Sequence, residues 1–286
     1  MILVITVAGT FGIVFMLSYQ HVSKLKLDND IHTIICGDSH TQTALNDSII
    51  PNSLNIAHSS EHYLYTYSVL KLLLRNNRQI RTVILGFSYH NLSSFYDDYL
   101  FDEDKTQYMY PRYFTVLDAE AMSLLVSNNF GGFLTDLKNT YHGVYRHINA
   151  RELLDYSFIG WFYQSDRNYK NDSTVSRAIK EHYFNDDQSM QGFSAFQLIY
   201  LDRIIELCRL QDVRLILINS PLSKEYRARV PEEFIDQFNE FAKSHDQQLL
   251  DYHDFEVPER CWGDGDHLNS SGAKIFSAYI VESMHD

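Results

Sequence analysis

Apolar positions fall along the chain in two rhythms. Short continuous runs, His32–Cys36, Asn52–Ala57, Ile80–Ser88, Val213–Pro221 and Gln248–Asp254, read as buried strands stopped by glycine, Ser-Pro or polar turns. Longer stretches between them carry a helical period. Glu61–Asn77 places Val69, Leu70, Leu73 and Leu74 on one face, and Phe196–Gln211 does the same with Leu201, Ile204, Ile205 and Cys208. Pro231–Asp246 opens with proline at a first-turn position and carries Phe234, Phe238 and Phe241 at i, i+4 and i+7. Asn269–Met284 closes the chain as a helix capped by Asn269 or Ser270, with Phe276, Ile280 and Met284 inward. Short apolar strands alternating with helices predict an α/β fold with a doubly wound, mainly parallel sheet.

The alternation stops between Tyr89 and Ala195. That stretch is rich in Tyr, Asp and Asn and too long for a loop. It reads as a partly helical insertion beside the active end of the sheet. No internal repeat is evident.

The N-terminal rhythm is different again. Ile2–Tyr19 contains no charge and reaches the lower end of the length that spans a bilayer. No basic segment precedes it and no small-residue cleavage site ends it, so an uncleaved anchor is expected rather than a signal peptide. A buried core helix or strand is the other reading of such a run. Lys24 and Lys26 follow it, and by themselves favour a cytoplasmic position for what comes after. The expected organisation is an anchor over residues 1–20, a polar linker over 21–31, and one domain over 32–286 with its insertion at about 89–195.

Composition narrows the function. A formal net charge of −13 and a pI of about 5.4 argue against nucleic-acid binding, which needs a basic face. The hydrophobic share of 45% supports a sizeable core. The 20 tyrosines suit carbohydrate or peptide surfaces, and equally suit ordinary core and rim packing. Cys36, Cys208 and Cys261 have no metal-ligand spacing, so no structural zinc is expected from them, and Cys36 reads as a small core hydrophobe.

Two polar clusters remain. Ser39, in Gly37-Asp38-Ser39-His40, follows the first strand of the domain and so belongs at the carboxyl edge of the sheet, where ligands bind in such folds. It is either a nucleophile or the cap of the next helix. A nucleophilic serine needs a base. His267 follows the turn Gly263-Asp264-Gly265-Asp266, and Asp264 three residues earlier can fix its tautomer and support the imidazolium. Singly, each residue has a plain structural reading as a cap or turn. Asp264, Asp266 and His267 also have a reading as metal ligands; no partner cluster is visible in the sequence, and neither metal nor cofactor is expected.

The paired blocks Gly37-Asp38-Ser39-His40 and Asp264-Gly265-Asp266-His267-Leu268-Asn269 resemble the first and last blocks of the SGNH, or GDSL-type, hydrolase superfamily. The resemblance covers roughly Thr33–Ser88 and Val213–Asp286 and leaves out the insertion. The pattern looks most like the anchored SGNH-like proteins of bacterial polysaccharide modification, such as alginate O-acetyltransferases and D-alanyl transfer proteins. The resemblance implies a three-layer, flavodoxin-like sandwich, with Ser39 as nucleophile, His267 as general base and Asp264 as its orienting carboxylate. It implies an oxyanion hole from the Ser39 N–H, a second-block N–H at Ser59 or Ser60, and a third-block donor. There the usual asparagine position is Ser88, with Asn91 as substitute. It further implies a polysaccharide acceptor, an acyl donor, a membrane-bound acyltransferase partner and an extracytoplasmic domain. A carbohydrate acetylesterase and a non-catalytic glycan-binding subunit are the alternatives.

Overall fold

The computed structural model describes residues 16–135 and 158–283, except residue 18, together with residue 138. The apolar runs form five strands: β1 Thr33–Cys36, β2 Ser53–Asn55, β3 Thr82–Gly86, β4 Arg214–Asn219 and β5 Gln248–Asp251. All pair in parallel, in the order β2-β1-β3-β4-β5. Ile34 stands beside Leu54 on one side and Val83 on the other, and Leu217 beside Leu85 and Leu249.

The central strands are buried on both faces, which is why they read as continuous apolar runs rather than as an alternation. Ile34, Cys36, Val83, Leu85, Leu215 and Leu217 join the larger core. Their neighbours Ile35, Ile84, Ile216 and Ile218 join the second core, on the opposite face. The helices used below are α1 Ser39–Ala44, α2 Tyr63–Asn76, α3 Glu103–Tyr113, α4 Ala119–Asn128, α5 Asp172–Tyr183, α6 Ala195–Leu210, α7 Glu232–Ser244 and α8 Ser270–Ser283. Helices α2, α6 and α7 supply Leu70, Ile204 and Phe238 to the larger core. Helices α1 and α8 supply Ala44, Phe276 and Ile280 to the other. The result is the expected three-layer parallel α/β arrangement. Cys36, Cys208 and Cys261 are free and buried.

Helices α3, α4 and α5 fall between β3 and β4, within the segment 89–195. The segment 21–31 lies against the domain: Val22 and Leu25 are buried in the larger core, and Leu27 N–H donates to Asn77 Oδ1 at 2.8 Å. Among the described residues no helix is long and apolar enough to cross a membrane. Residues 1–15 and 18, which hold most of the run Ile2–Tyr19, lie outside the described residues.

Candidate active site

Strand order reverses direction between β1 and β3, and the crevice beyond their carboxyl ends is where doubly wound folds bind ligands. Ser39 follows β1 there, and the short 3-10 turn Tyr89–Leu92 follows β3. Gly37 between β1 and Ser39 has φ of +134°, and Gly86 at the end of β3 lies so close to Thr41 that a Cβ would fall 1.9 Å from its Oγ1. The two glycines let the start of α1 sit directly on the end of β3.

The cap of α1 is Asp38, not Ser39. Its carboxylate accepts from His40 N–H at 3.0 Å. The same buried carboxylate accepts from His90 Nε2 and Asn91 Nδ2, both at 2.8 Å, and from the Tyr96 hydroxyl. Burial alone would raise the Asp38 pKa; the neighbouring His90, with His40 and Tyr96, instead holds it well below the usual carboxylate range. With Asp38 capping the helix, the Ser39 hydroxyl is released for another partner. That partner is His267, whose Nε2 lies 2.8 Å from Ser39 Oγ.

His267 is held by the turn before it. Asp264 Oδ1 accepts from His267 N–H at 3.0 Å and lies 2.9 Å from His267 Nδ1. Asp266 Oδ1 is 3.3 Å from the same ring nitrogen. Both carboxylates only accept, so the proton sits on Nδ1 and leaves Nε2 of the neutral ring to accept from Ser39. Burial would push the His267 pKa down, but the charge of Asp266 and the bonds to Asp264 and Asp266 raise it well above the ordinary value. The turn is pinned from outside: Asn269 Nδ2 donates to Arg260 O at 2.7 Å, and Asn269 Oδ1 accepts from Ser271 and Gly272 N–H at the start of α8. Gly265 abuts α5 so closely that a Cβ would fall 2.6 Å from Val175 N and Cα.

Ser39, Asp264 and His267 line one cleft of about 330 Å³, with Gln42, Thr43, Ser59, Tyr163, Ser165, Arg167 and Tyr169 among its other walls. That volume is at the lower end for small-molecule sites. The segment around residues 160–170 forms one wall. Tyr163 N–H donates to Gln42 O at 2.9 Å, Ser270 N–H to Ser165 O at 2.8 Å, and Tyr169 N–H to Gly263 O at 2.8 Å. Tyr163 and Tyr169 are exposed on it.

The oxyanion assignments from sequence fare unevenly. Ser60 has φ of +58°, the left-handed conformation a glycine adopts freely, and its neighbour Ser59 lines the cleft. Ser88 and Asn91 do not line it. Both are buried, and the Asn91 side chain is committed twice, donating to Asp38 and accepting from Ser88 N–H at 2.7 Å. Asn91 is therefore a support for Asp38, and the expectation that it faces substrate is corrected. No hydrogen bond among the described residues occupies the N–H of Ser39 or of Ser60. Gln42 is a cleft residue the sequence reading passed over. It lies one turn from Ser39, and its Oε1 accepts from Ser59 Oγ at 3.0 Å, which leaves its amide nitrogen to donate. Among the described residues, the clusters whose geometry could hold a metal are His40 with His90 and His182, and His40 with Asp266 and His267.

A protein-family model matches residues 167–286, the part that carries Asp264 and His267. No curated protein matches the chain. Similar solved structures include a proposed acylhydrolase from Bacteroides fragilis NCTC 9343, with 8% identity and a TM-score of 0.40, covering 94% of this chain and 93% of that one. Another is a GDSL-like lipase from Bacteroides thetaiotaomicron VPI-5482, with 10% identity and a TM-score of 0.40, covering 95% of this chain and 97% of that one.

Proposed function

We propose that this chain is a serine-dependent acyl-transfer enzyme that moves an acetyl-type group between an ester donor and a sugar hydroxyl. The observation that carries the proposal is the continuous chain from Ser39 Oγ through His267 Nε2 and Nδ1 to Asp264 Oδ1, at 2.8 and 2.9 Å, on the wall of a cleft at the switch point.

Chemistry follows from that chain. Ser39 Oγ attacks the donor carbonyl carbon while His267 Nε2 takes the hydroxyl proton. Asp264, with Asp266 beside it, stabilises the imidazolium that forms. The carbonyl oxygen, now negative, is bound by the free N–H groups of Ser39 and Ser60, with the Gln42 amide as a third donor. As the tetrahedral species collapses, the donor's ester bond breaks and His267 returns the proton to the departing oxygen. An acyl-Ser39 ester remains. A sugar hydroxyl then loses its proton to His267 and attacks this ester; the bond to Ser39 Oγ breaks, His267 returns the proton to that oxygen, and the acyl group is left on the sugar. The exposed rings of Tyr163 and Tyr169 are suited to stack on a sugar face. No step requires a metal or organic cofactor.

The same steps with water as acceptor make a carbohydrate acetylesterase. The open cleft mouth, with Tyr163 and Tyr169 exposed, favours that reading to the extent that water reaches the acyl-enzyme. Incubating the purified protein with an acetyl ester donor and an acceptor glycan separates them. Transfer predicts acetylated glycan in excess of free acetate; free acetate alone makes the protein an esterase. With neither product the chain is a non-catalytic glycan-binding subunit. An envelope location, an anchor at residues 1–20 and a membrane-bound acyltransferase as partner complete the proposal, and rest on the sequence pattern.

A further inference from the structure

The geometry points to a buried transition-metal site formed by His40, His90 and His182, of the type that binds Zn²⁺, lying behind the Ser39–His267 pair. The three histidines come from three distant segments: the first turn of α1, the 3-10 turn after β3, and the last turn of α5. One ring nitrogen from each lies within 4.8 Å of those of the other two. Ring centroids are 4.0 Å apart for His40 and His90 and 4.9 Å for His90 and His182. All three side chains are buried, at 4%, 0% and 8% exposure.

Their hydrogen bonding is incomplete in a way that suits a metal. Nδ1 of His40 and Nδ1 of His90 make no hydrogen bond, and His40 Nε2 faces the Asp266 carboxylate at 3.1 Å. Buried polar atoms are rarely left so. His90 gives its Nε2 proton to Asp38 at 2.8 Å, which leaves the lone pair on Nδ1; a carboxylate behind the ring is the usual support of a metal-binding histidine. His182 Nδ1 lies 2.6 Å from the Tyr226 hydroxyl, which itself donates to Tyr183, so the proton sits on Nδ1 and the lone pair on Nε2. Asp266 Oδ2 lies beside the three rings, 3.1 Å from His40 Nε2 and 3.9 Å from His182 Nδ1. Three imidazoles, with no thiolate in the cluster, suit Zn²⁺ and fit neither Ca²⁺ nor Mg²⁺ well. The carboxylates of Asp38 and Asp266 also give the pocket the negative charge that a divalent cation neutralises.

The metal's role is structural. None of the three histidines lines the cleft, so a bound ion does not touch substrate. It joins α1, the turn after β3 and α5, and α5 in turn backs the Asp264–His267 turn at Gly265, so the ion steadies Ser39 against His267. This inference stands apart from the acyl-transfer reading.

The test is made on the full chain produced in zinc-supplemented medium. Metal content is measured by plasma mass spectrometry after dialysis, and the protein is then unfolded in chelator and refolded with or without Zn²⁺ or Co²⁺. The expected results are one zinc per chain, a higher thermal midpoint after refolding with Zn²⁺, and the visible absorption of four-coordinate Co²⁺. The double variant His90→Gln, His182→Gln is expected to lose the metal, and Asp38→Asn to weaken binding about 10- to 100-fold. Asp264→Asn is expected to keep it. A wild-type chain that holds no zinc and gives the same midpoint with and without it overturns the proposal. So does stoichiometric metal that survives in the double variant. The Co²⁺ spectrum of the wild type decides the matter even where the double variant fails to fold.

Discussion

Ser39 and Asp38 divide two tasks that one residue in a Gly-Asp-Ser turn could have monopolised. Asp38 caps α1 and Ser39 faces His267. Asp264→Asn keeps the shape of the turn but offers an amide where the imidazole needs an acceptor. It is expected to lower kcat on an ester substrate by about 10³- to 10⁴-fold with KM little changed, measured in steady-state assays. Asp38→Ala removes an acceptor shared by His40 N–H, His90, Asn91 and Tyr96. Urea unfolding is expected to show a loss of about 3–5 kcal/mol, because several buried donors are left without their acceptor. The bonding roles of Ser39, Asp264 and His267 could be read from the sequence because each sits in a short turn next to an apolar run. The role of Asn91 could not be read, because Asp38, 53 positions away, consumes its amide. Gln42 was within reach, since a residue three places from Ser39 shares its helix face.

Elements were legible where the period was unbroken. The strands and the helices α2, α7 and α8 lie within the predicted runs, with ends trimmed by up to three residues where hydrogen bonding stops, and α6 starts one residue before its predicted run. Helix α5 carries Val175, Ala178, Ile179 and His182 at i, i+3, i+4 and i+7, but polar flanks dilute that signal. Its importance is contact with the Asp264–His267 turn at Gly265. Gly265→Ala is expected to push that turn off Val175 and lower kcat on the order of 100-fold, since about 1 Å of misplacement suffices. A circular dichroism spectrum unchanged from wild type would show that the fold persists.

Glu61, just before α2, is buried and bonded to Thr66 Oγ1 at 2.8 Å. Burial pushes its pKa up to about 8, against the opposing effect of the Thr66 bond. The folded state therefore holds a proton that the unfolded chain releases above about pH 4.3. Stability is expected to fall as pH rises from there to about 8 and then to level off. Denaturant unfolding between pH 5 and 9 should show this slope in wild type and a flatter one in Glu61→Gln.

At the scale of the molecule, the strand order places the loops after β1 and β3 side by side, and the last turn before α8 closes the cleft. The parallel α/β architecture was legible from alternation alone, whereas the wall formed by residues 160–170 was not, because backbone bonds to Gln42, Gly263 and Ser270 leave no periodic mark. The N-terminal segment also packs further than its polarity suggests. Removing residues 1–31 exposes the seats of Val22 and Leu25 and is expected to cost about 3–6 kcal/mol in urea unfolding. The central claim is that Ser39 is an activated nucleophile, and labelling the protein with a fluorophosphonate and locating the adduct by peptide mass spectrometry tests it most directly. The account predicts one adduct, on Ser39, lost in Ser39→Ala and strongly slowed in His267→Gln. A folded wild-type protein that takes up no label, or a label that persists in Ser39→Ala, would contradict it.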